Sequence, residues 1–257
     1  MWTTIQETSK PKMLREQWNW EGDLLKSIEY HTLGYDNYYN VYYEDTYTEY
    51  YEYDGNRLIA INWGGDTHYS ISYDHRKIST IQLFWNSDSD EPSETYEFTY
   101  KNGKISEIKF YEGSYETRPA YTMNAFRFFI PGATMESFVK VMDKVRSTMD
   151  AKNTDPSIIQ FEWEGDNVKK MTYINSGHTD VIEYTYDNKL NPFYGLFNME
   201  EFGNKPFLSK NNITSDGSCE FTYTYKGRFP ATQTCYNTIT YGNEREISTS
   251  VYYYDYQ

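Results

Sequence analysis

The chain has 257 residues, enough for a large core, and as an all-β architecture that length fits one domain. Its 38 Asp and Glu outweigh 24 Lys and Arg, giving a net charge of -14 with no basic run, which argues against a nucleic-acid partner. Tyr alone supplies 29 residues and aromatics 19% of the chain, too many for a disordered polypeptide.

In chain order, the dominant feature is a β-hairpin phrase read seven times. Each copy has aromatic or apolar residues one apart, then a polar turn, then apolar residues at fixed offsets. The first runs from Trp20 through Glu21-Gly22-Asp23 to Leu25, Ile28 and Tyr30. The second starts at Tyr53, turns at Asp54-Gly55-Asn56-Arg57 and continues with Leu58, Ile61 and Trp63. Further copies are anchored at Tyr73, Tyr100 and Trp163, and two shorter ones span Tyr186 to Leu190 and Tyr225 to Phe229. Their uneven spacing excludes a solenoid of equal rungs.

The middle of the chain has a different period. Met135, Phe138, Val139, Met142, Val145 and Met149 form the apolar stripe of an amphipathic helix over 133–149, after Pro131-Gly132. A shorter helical turn is expected near Asn198 to Phe202. The expected organisation is a single all-β domain over 1–257, with hairpins at 14–115, a helical insertion at 116–156 and hairpins at 157–257. The fold class predicted is a large antiparallel up-and-down meander of about 14–16 strands, barrel-like or strongly curved, with one inserted amphipathic helix.

Strand faces alternate. In Tyr96-Glu97-Phe98-Thr99-Tyr100 the aromatics share one face, while Glu97 and Thr99 share the other. One apolar and one solvated face suits an antiparallel sheet. The apolar positions of a typical copy span about five or six residues, short of the roughly 9–11 a membrane-spanning strand needs. No stretch approaches the roughly 18 apolar residues of a transmembrane helix. Met1-Trp2-Thr3-Thr4 does not read as a signal peptide.

The two cysteines, Cys219 and Cys235, lie symmetrically about Gly227 in the last hairpin. A three-residue loop would set them face to face, within disulfide reach. Two thiols in ordinary strands, with the register shifted by Pro230, is the other reading.

The Tyr-Asp-Gly-Asn-Arg-Leu phrase at 53–58 resembles tyrosine–aspartate repeat proteins, whose turn is longer and whose period is nearly constant. A closer resemblance is to secreted or lipid-anchored proteins of gut-commensal bacteria, in a domain family of unknown function with Tyr-Asp hairpin repeats. The residues that carry it are the Tyr-x-Tyr-Asp hairpins, Asn191-Pro192-Phe193-Tyr194-Gly195 and the strand Val251-Tyr252-Tyr253-Tyr254. The resemblance implies a porin-like fold and a cell-envelope location, in the periplasm or at the outer-membrane surface. It brings no catalytic residue, and the lipid-anchor cysteine of such proteins is not among these residues.

Chemical signatures are sparse. His31, His68, His75 and His178 have no partner at helical or strand spacing, and neither cysteine belongs to a CxxC, so no metal or other cofactor is expected. Ser176-Gly177-His178-Thr179-Asp180 brings triad residue types into one loop, but triads are assembled from separate elements and no nucleophile elbow is present; turn chemistry is the reading. Asp88-Ser89-Asp90-Glu91 lacks the Gly and terminal Glu of a calcium loop and reads as a solvated acidic turn. Among so many carboxylates, no catalytic pair can be chosen.

Adjacent tyrosines place one ring on each face. Tyr38, Tyr42 and Tyr50 fall on the solvated face and are the binding candidates, for a sugar ring or an envelope protein. Cross-strand Tyr pairing that stabilises the sheet is the simpler reading. The functional expectation is a non-enzymatic binding or structural module. The alternative is a glycan-acting hydrolase with loop carboxylates at one barrel end.

Overall fold

The computed structural model describes residues 2–7, 13–36, 41–63, 67–85, 91–112, 156–175, 177–195, 208–217, 219–241 and 244–256. Seventeen strands are described. They are β1 (Trp2–Glu7), β2 (Met13–Glu21), β3 (Leu24–Asp36), β4 (Val41–Asp54), β5 (Arg57–Asn62), β6 (His68–Asp74), β7 (Lys77–Phe84), β8 (Glu94–Lys101) and β9 (Lys104–Glu112). They continue with β10 (Ser157–Glu164), β11 (Asn167–Asn175), β12 (His178–Glu183), β13 (Thr185–Leu190), β14 (Asn211–Ser215), β15 (Cys219–Lys226), β16 (Phe229–Tyr241) and β17 (Glu244–Asp255).

All belong to one antiparallel sheet in meander order, with β1 between β17 and β2. The ladder runs from β13 through β17 to β1, and on through β2 to β12. No register joins β12 to β13, which follow one another through Tyr184; β12 pairs with β11 and β13 with β14. This open order corrects the barrel-like form of the expected fold, since the ladder does not close. The sheet is nonetheless strongly curved. Phe193, just after β13, packs against Trp18 of β2 with ring centroids 5.8 Å apart and against Tyr254 of β17 at 5.9 Å.

The expected helical insertion is not seen among the described residues. They contain no helix, and 133–149 and 198–202 lie outside them. The strands on either side of the expected insertion pair directly, β9 with β10, Phe110 opposite Ser157 and Ile108 opposite Ile159.

Six of the seven hairpin phrases form as tight two-residue turns. The first turn residue takes a positive φ, 59° at Gly22 and 61° at Gly55, the geometry that matches the strand twist. His75 adopts the same conformation with φ 57°. A bulge falls immediately before the anchor aromatic each time, at Trp20, Tyr53, Tyr73, Tyr100, Trp163 and Tyr225. The seventh phrase does not turn. Tyr186 to Leu190 stays extended in β13, where Asn211 donates to the Lys189 carbonyl at 2.8 Å and Asp187 accepts from the Asn212 backbone at 3.2 Å.

The core lies on one face, and Tyr30, Tyr69, Tyr96, Tyr173 and Phe110 are its largest fully buried side chains. The opposite face is polar, with Ser72, Glu97, Thr99, Gln160, Glu162, Thr222 and Thr224 exposed.

Candidate functional site

At the turn end of the core face the anchor aromatics form a series of clasps. Five of them donate to the carbonyl of the second residue after a preceding turn. Tyr53 reaches Leu25 O at 3.0 Å, Tyr73 reaches Leu58 O at 2.8 Å and Tyr100 reaches Ile78 O at 3.0 Å. Trp163 Nε1 reaches Ile105 O at 2.7 Å and Tyr186 reaches Val168 O at 2.6 Å. A cation from the preceding hairpin lies over the same ring: Lys26 at 5.7 Å from Tyr53, Arg57 at 4.9 Å from Tyr73, Lys77 at 4.9 Å from Tyr100 and Lys104 at 5.1 Å from Trp163. Burial pushes the Tyr53 and Tyr73 hydroxyls up, and that of Tyr100 up to about 12, so all three remain donors through neutral pH.

Beside the first of these clasps is a cleft of about 730 Å³, lined by residues that include Trp20, Asp23, Asp54, Asn56, Arg57 and Arg76. The hairpin turns supply its polar side chains, and the bulges re-aim the strands that carry its rings. Trp20 is 42% exposed, yet its ring lies nearly parallel to that of Trp18, 18° apart with centroids at 6.4 Å. Trp18 is itself fixed, donating to Glu16 Oε2 at 2.8 Å and packing on Phe193. Gly195, the last residue of the Asn-Pro-Phe-Tyr-Gly segment, completes the cleft wall. Asn191 holds that segment by donating to Ser209 O at 2.8 Å and accepting from the Phe193 amide at 2.9 Å.

Farther from the turns the same core face buries carboxylates. Glu49 is fully buried and accepts three hydrogen bonds: from Tyr30 and Tyr51 hydroxyls on Oε2, both at 2.9 Å, and from Trp63 Nε1 on Oε1 at 2.7 Å. Burial raises its pKa to about 7, the three donors oppose the rise and the nearby Glu16 charge adds to it. Glu16 and Glu94 are buried as well, and Glu94 Oε2 accepts from Tyr96 at 2.5 Å. Each of these acids precedes an aromatic by two residues on its own strand. An acid at the apolar parity of a strand was the sequence signal for them, because that parity commits it to the core.

The binding candidates are unequally placed. Tyr50 is 54% exposed in β4, opposite Ser27 and Asn62. Tyr42 lies on the same strand, opposite Tyr35, with an unbroken register between the two. Tyr38 lies outside the described residues. Cys219 faces Asn237 and Cys235 faces Phe221, both buried on the core face. The hairpin turns over two residues rather than three and bulges before Tyr225, so the cysteines meet diagonally instead of face to face.

The histidines are dispersed. His31 pairs with Glu29 at 3.0 Å, His75 with Asp74 at 2.7 Å and His178 with Asp180 at 2.5 Å, while His68 stacks on Phe84. Ser176 and Asp88-Ser89-Asp90 lie outside the described residues. Among the described residues no three His, Cys, Asp or Glu side chains gather in a group able to hold a metal ion.

The architecture has a solved counterpart. It is similar to a porin-like protein from Bacteroides uniformis, with a TM-score of 0.58 and 11% sequence identity over 99% of this chain and 96% of that one. At that identity the likeness speaks for the fold alone, which is porin-like. No protein-family model matches the chain, and no curated protein does.

Proposed function

We propose that the chain is a non-enzymatic binding module of the bacterial cell envelope, acting in the periplasm or at the outer-membrane surface. We place it with the secreted and lipid-anchored Tyr-Asp hairpin family that its sequence resembles. The observation that carries the reading is the turn-rim cleft, where an exposed and stacked Trp20 stands beside side chains projected from several hairpins. A second point supports it. The exposed strand face carries more polar than apolar side chains, with Tyr50, Ile59, Val181 and Tyr236 scattered over it, whereas a lipid-facing strand needs an apolar face. The porin-like sheet thus buries its apolar face and offers water the other.

The glycan-cleaving alternative would draw on Asp23 and Asp54, the carboxylates that line the cleft. Glu49, whose raised pKa suits an acid catalyst, is fully buried with both oxygens engaged by donors from its own core. A binding role therefore fits the geometry better. Immobilised protein presented with peptidoglycan sacculi, lipopolysaccharide and neutral polysaccharides should bind at least one of them saturably, without releasing reducing ends. Release of reducing ends that is lost in Asp54→Asn would replace this reading with the enzymatic one. Replacing Tyr38, Tyr42 and Tyr50 together with Ser in the same assay assigns any binding that survives loss of Trp20 to the opposite face.

A further inference from the structure

We infer that the cleft beside Trp20 takes a neutral glycan, one pyranose ring stacked on the indole and its hydroxyls held by Asp23, Asp54, Asn56 and Arg76; this rests on the binding-module reading above. Four observations converge on that chemistry.

The first is the platform. An exposed indole on a flexible support makes a poor platform, because ordering it costs entropy on binding. Trp20 is already ordered: it lies along Trp18, which is anchored by Glu16 below and by Phe193 at its side. A flat apolar ring face in water matches the axial C–H face of a pyranose, which needs no pocket for a protruding side chain.

The second is the polar complement. Asp23, Asp54, Asn56 and Arg76 are exposed, line the same cleft and make no ion pair with any other described residue. Carboxylates accept, the guanidinium donates from a fixed fork and the carboxamide does both, so adjacent sugar hydroxyls find both kinds of partner. Short turn side chains also hold their positions at low entropic cost.

The third is charge. Two carboxylates, Asp23 and Asp54, and two guanidinium groups, Arg57 and Arg76, line the cleft. Arg57 is already committed, over the Tyr73 ring and donating to His75 O at 3.2 Å. The cleft carries no surplus cation for a polyanion, and the chain's net charge of -14 repels one at longer range. The fourth is size: about 730 Å³ falls within the roughly 300–1,000 Å³ usual for small-molecule sites.

The test is isothermal titration of the full chain with cellohexaose, xylohexaose, mannohexaose and maltohexaose as neutral probes, and hexagalacturonate as the anionic probe. At least one neutral hexasaccharide should saturate the protein. Trp20→Ala should weaken that affinity by about tenfold or more, Arg76→Ala by a smaller factor, and Trp20→Phe should restore part of the loss. Thermal midpoints of the three variants should stay close to the parent, because Trp20 is half exposed and Arg76 is on a turn. Preference for hexagalacturonate overturns the inference, and so does neutral binding indifferent to Trp20→Ala. If no sugar binds but a polysaccharide-free outer-membrane protein preparation binds in a Trp20-dependent way, the binding-module reading stands and the glycan assignment falls. If neither arm binds, both fall.

Discussion

The two ends of the core face use the same donors for opposite acceptors. Near the turns, Tyr53, Tyr73, Tyr100 and Trp163 donate to backbone carbonyls. Farther along the strands, Trp18, Tyr30, Tyr51, Trp63 and Tyr96 donate to the carboxylates of Glu16, Glu49 and Glu94. A backbone acceptor is supplied by every residue, so the clasp repeats whenever an aromatic stands at the right offset from a turn. A carboxylate acceptor exists only where one residue supplies it, and its burial must be offset by several donors at once. The turn end is therefore modular and forgiving, whereas the carboxylate region depends on single residues.

That contrast predicts its largest effect at Glu49. Glu49→Ala orphans the buried Tyr30 and Tyr51 hydroxyls and removes the acceptor of the half-buried Trp63 indole, and should cost about 3 kcal/mol, counting roughly 1–3 kcal/mol per unsatisfied buried donor. Glu52→Ala, on the exposed face of the same strand, should change stability by no more than about 0.5 kcal/mol. Urea unfolding of both variants checks the pair. Equal losses would mean that the carboxylate cluster is no more critical than the surface.

Glu49 also gives the carboxylate region a pH dependence that the backbone clasps lack. Its folded pKa is raised to about 7 from an ordinary 4.5. Between those values the folded state holds a proton that the unfolded state has released, so stability falls as pH rises. The contribution is fully present below about pH 4.5 and gone above about pH 7. At 1.36 kcal/mol per pKa unit it amounts to about 3 kcal/mol. Glu49→Gln should flatten the slope of unfolding free energy across that window, and an unchanged slope would assign it to other acids.

The same division explains what could be read from the sequence. The turn end was legible because its determinants are local. Period-two aromatics, a turn residue tolerant of positive φ and the following apolar residue lie within about ten residues of one another, and Trp20, Tyr53, Tyr73, Tyr100 and Trp163 all anchor hairpins as read. Tyr186 to Leu190 failed because its Asp187-Asn188-Lys189 resembles a turn, while Asn211 and Asn212, distant in sequence, hold it extended. The donors to Glu49 come from β3, from β4 itself and from the residue after β5, so no short window contains the site. The cleft was illegible for a related reason: Trp20, Asp54 and Arg76 come from three successive hairpins, and Gly195 joins them only because the sheet curves.

At the turn end the expected effects are smaller. Tyr73→Phe removes one hydroxyl donor to Leu58 O and keeps the ring, so it should cost about 1 kcal/mol. Tyr100→Phe should match it, since it loses the equivalent bond to Ile78 O. Near-equal losses at the two positions would confirm that the clasps are interchangeable. A loss at either as large as that of Glu49→Ala would erase the distinction between the two ends.

The smallest effect belongs to the cations over the anchor rings. Lys77 Nζ lies 4.9 Å from the Tyr100 ring centroid, on the solvent side of the clasp. Water screens such a contact, which is worth about 0.5–1 kcal/mol at an exposed site. Lys77→Met keeps the aliphatic stem over the ring and removes only the charge, so it isolates the electrostatic part. A double-mutant cycle with Tyr100→Leu then measures the coupling directly. A coupling of about 0.5 kcal/mol would make the cation a working part of each clasp. A coupling of zero would leave Lys77 a solubilising residue that happens to cross the ring, with the clasp resting on the hydroxyl alone.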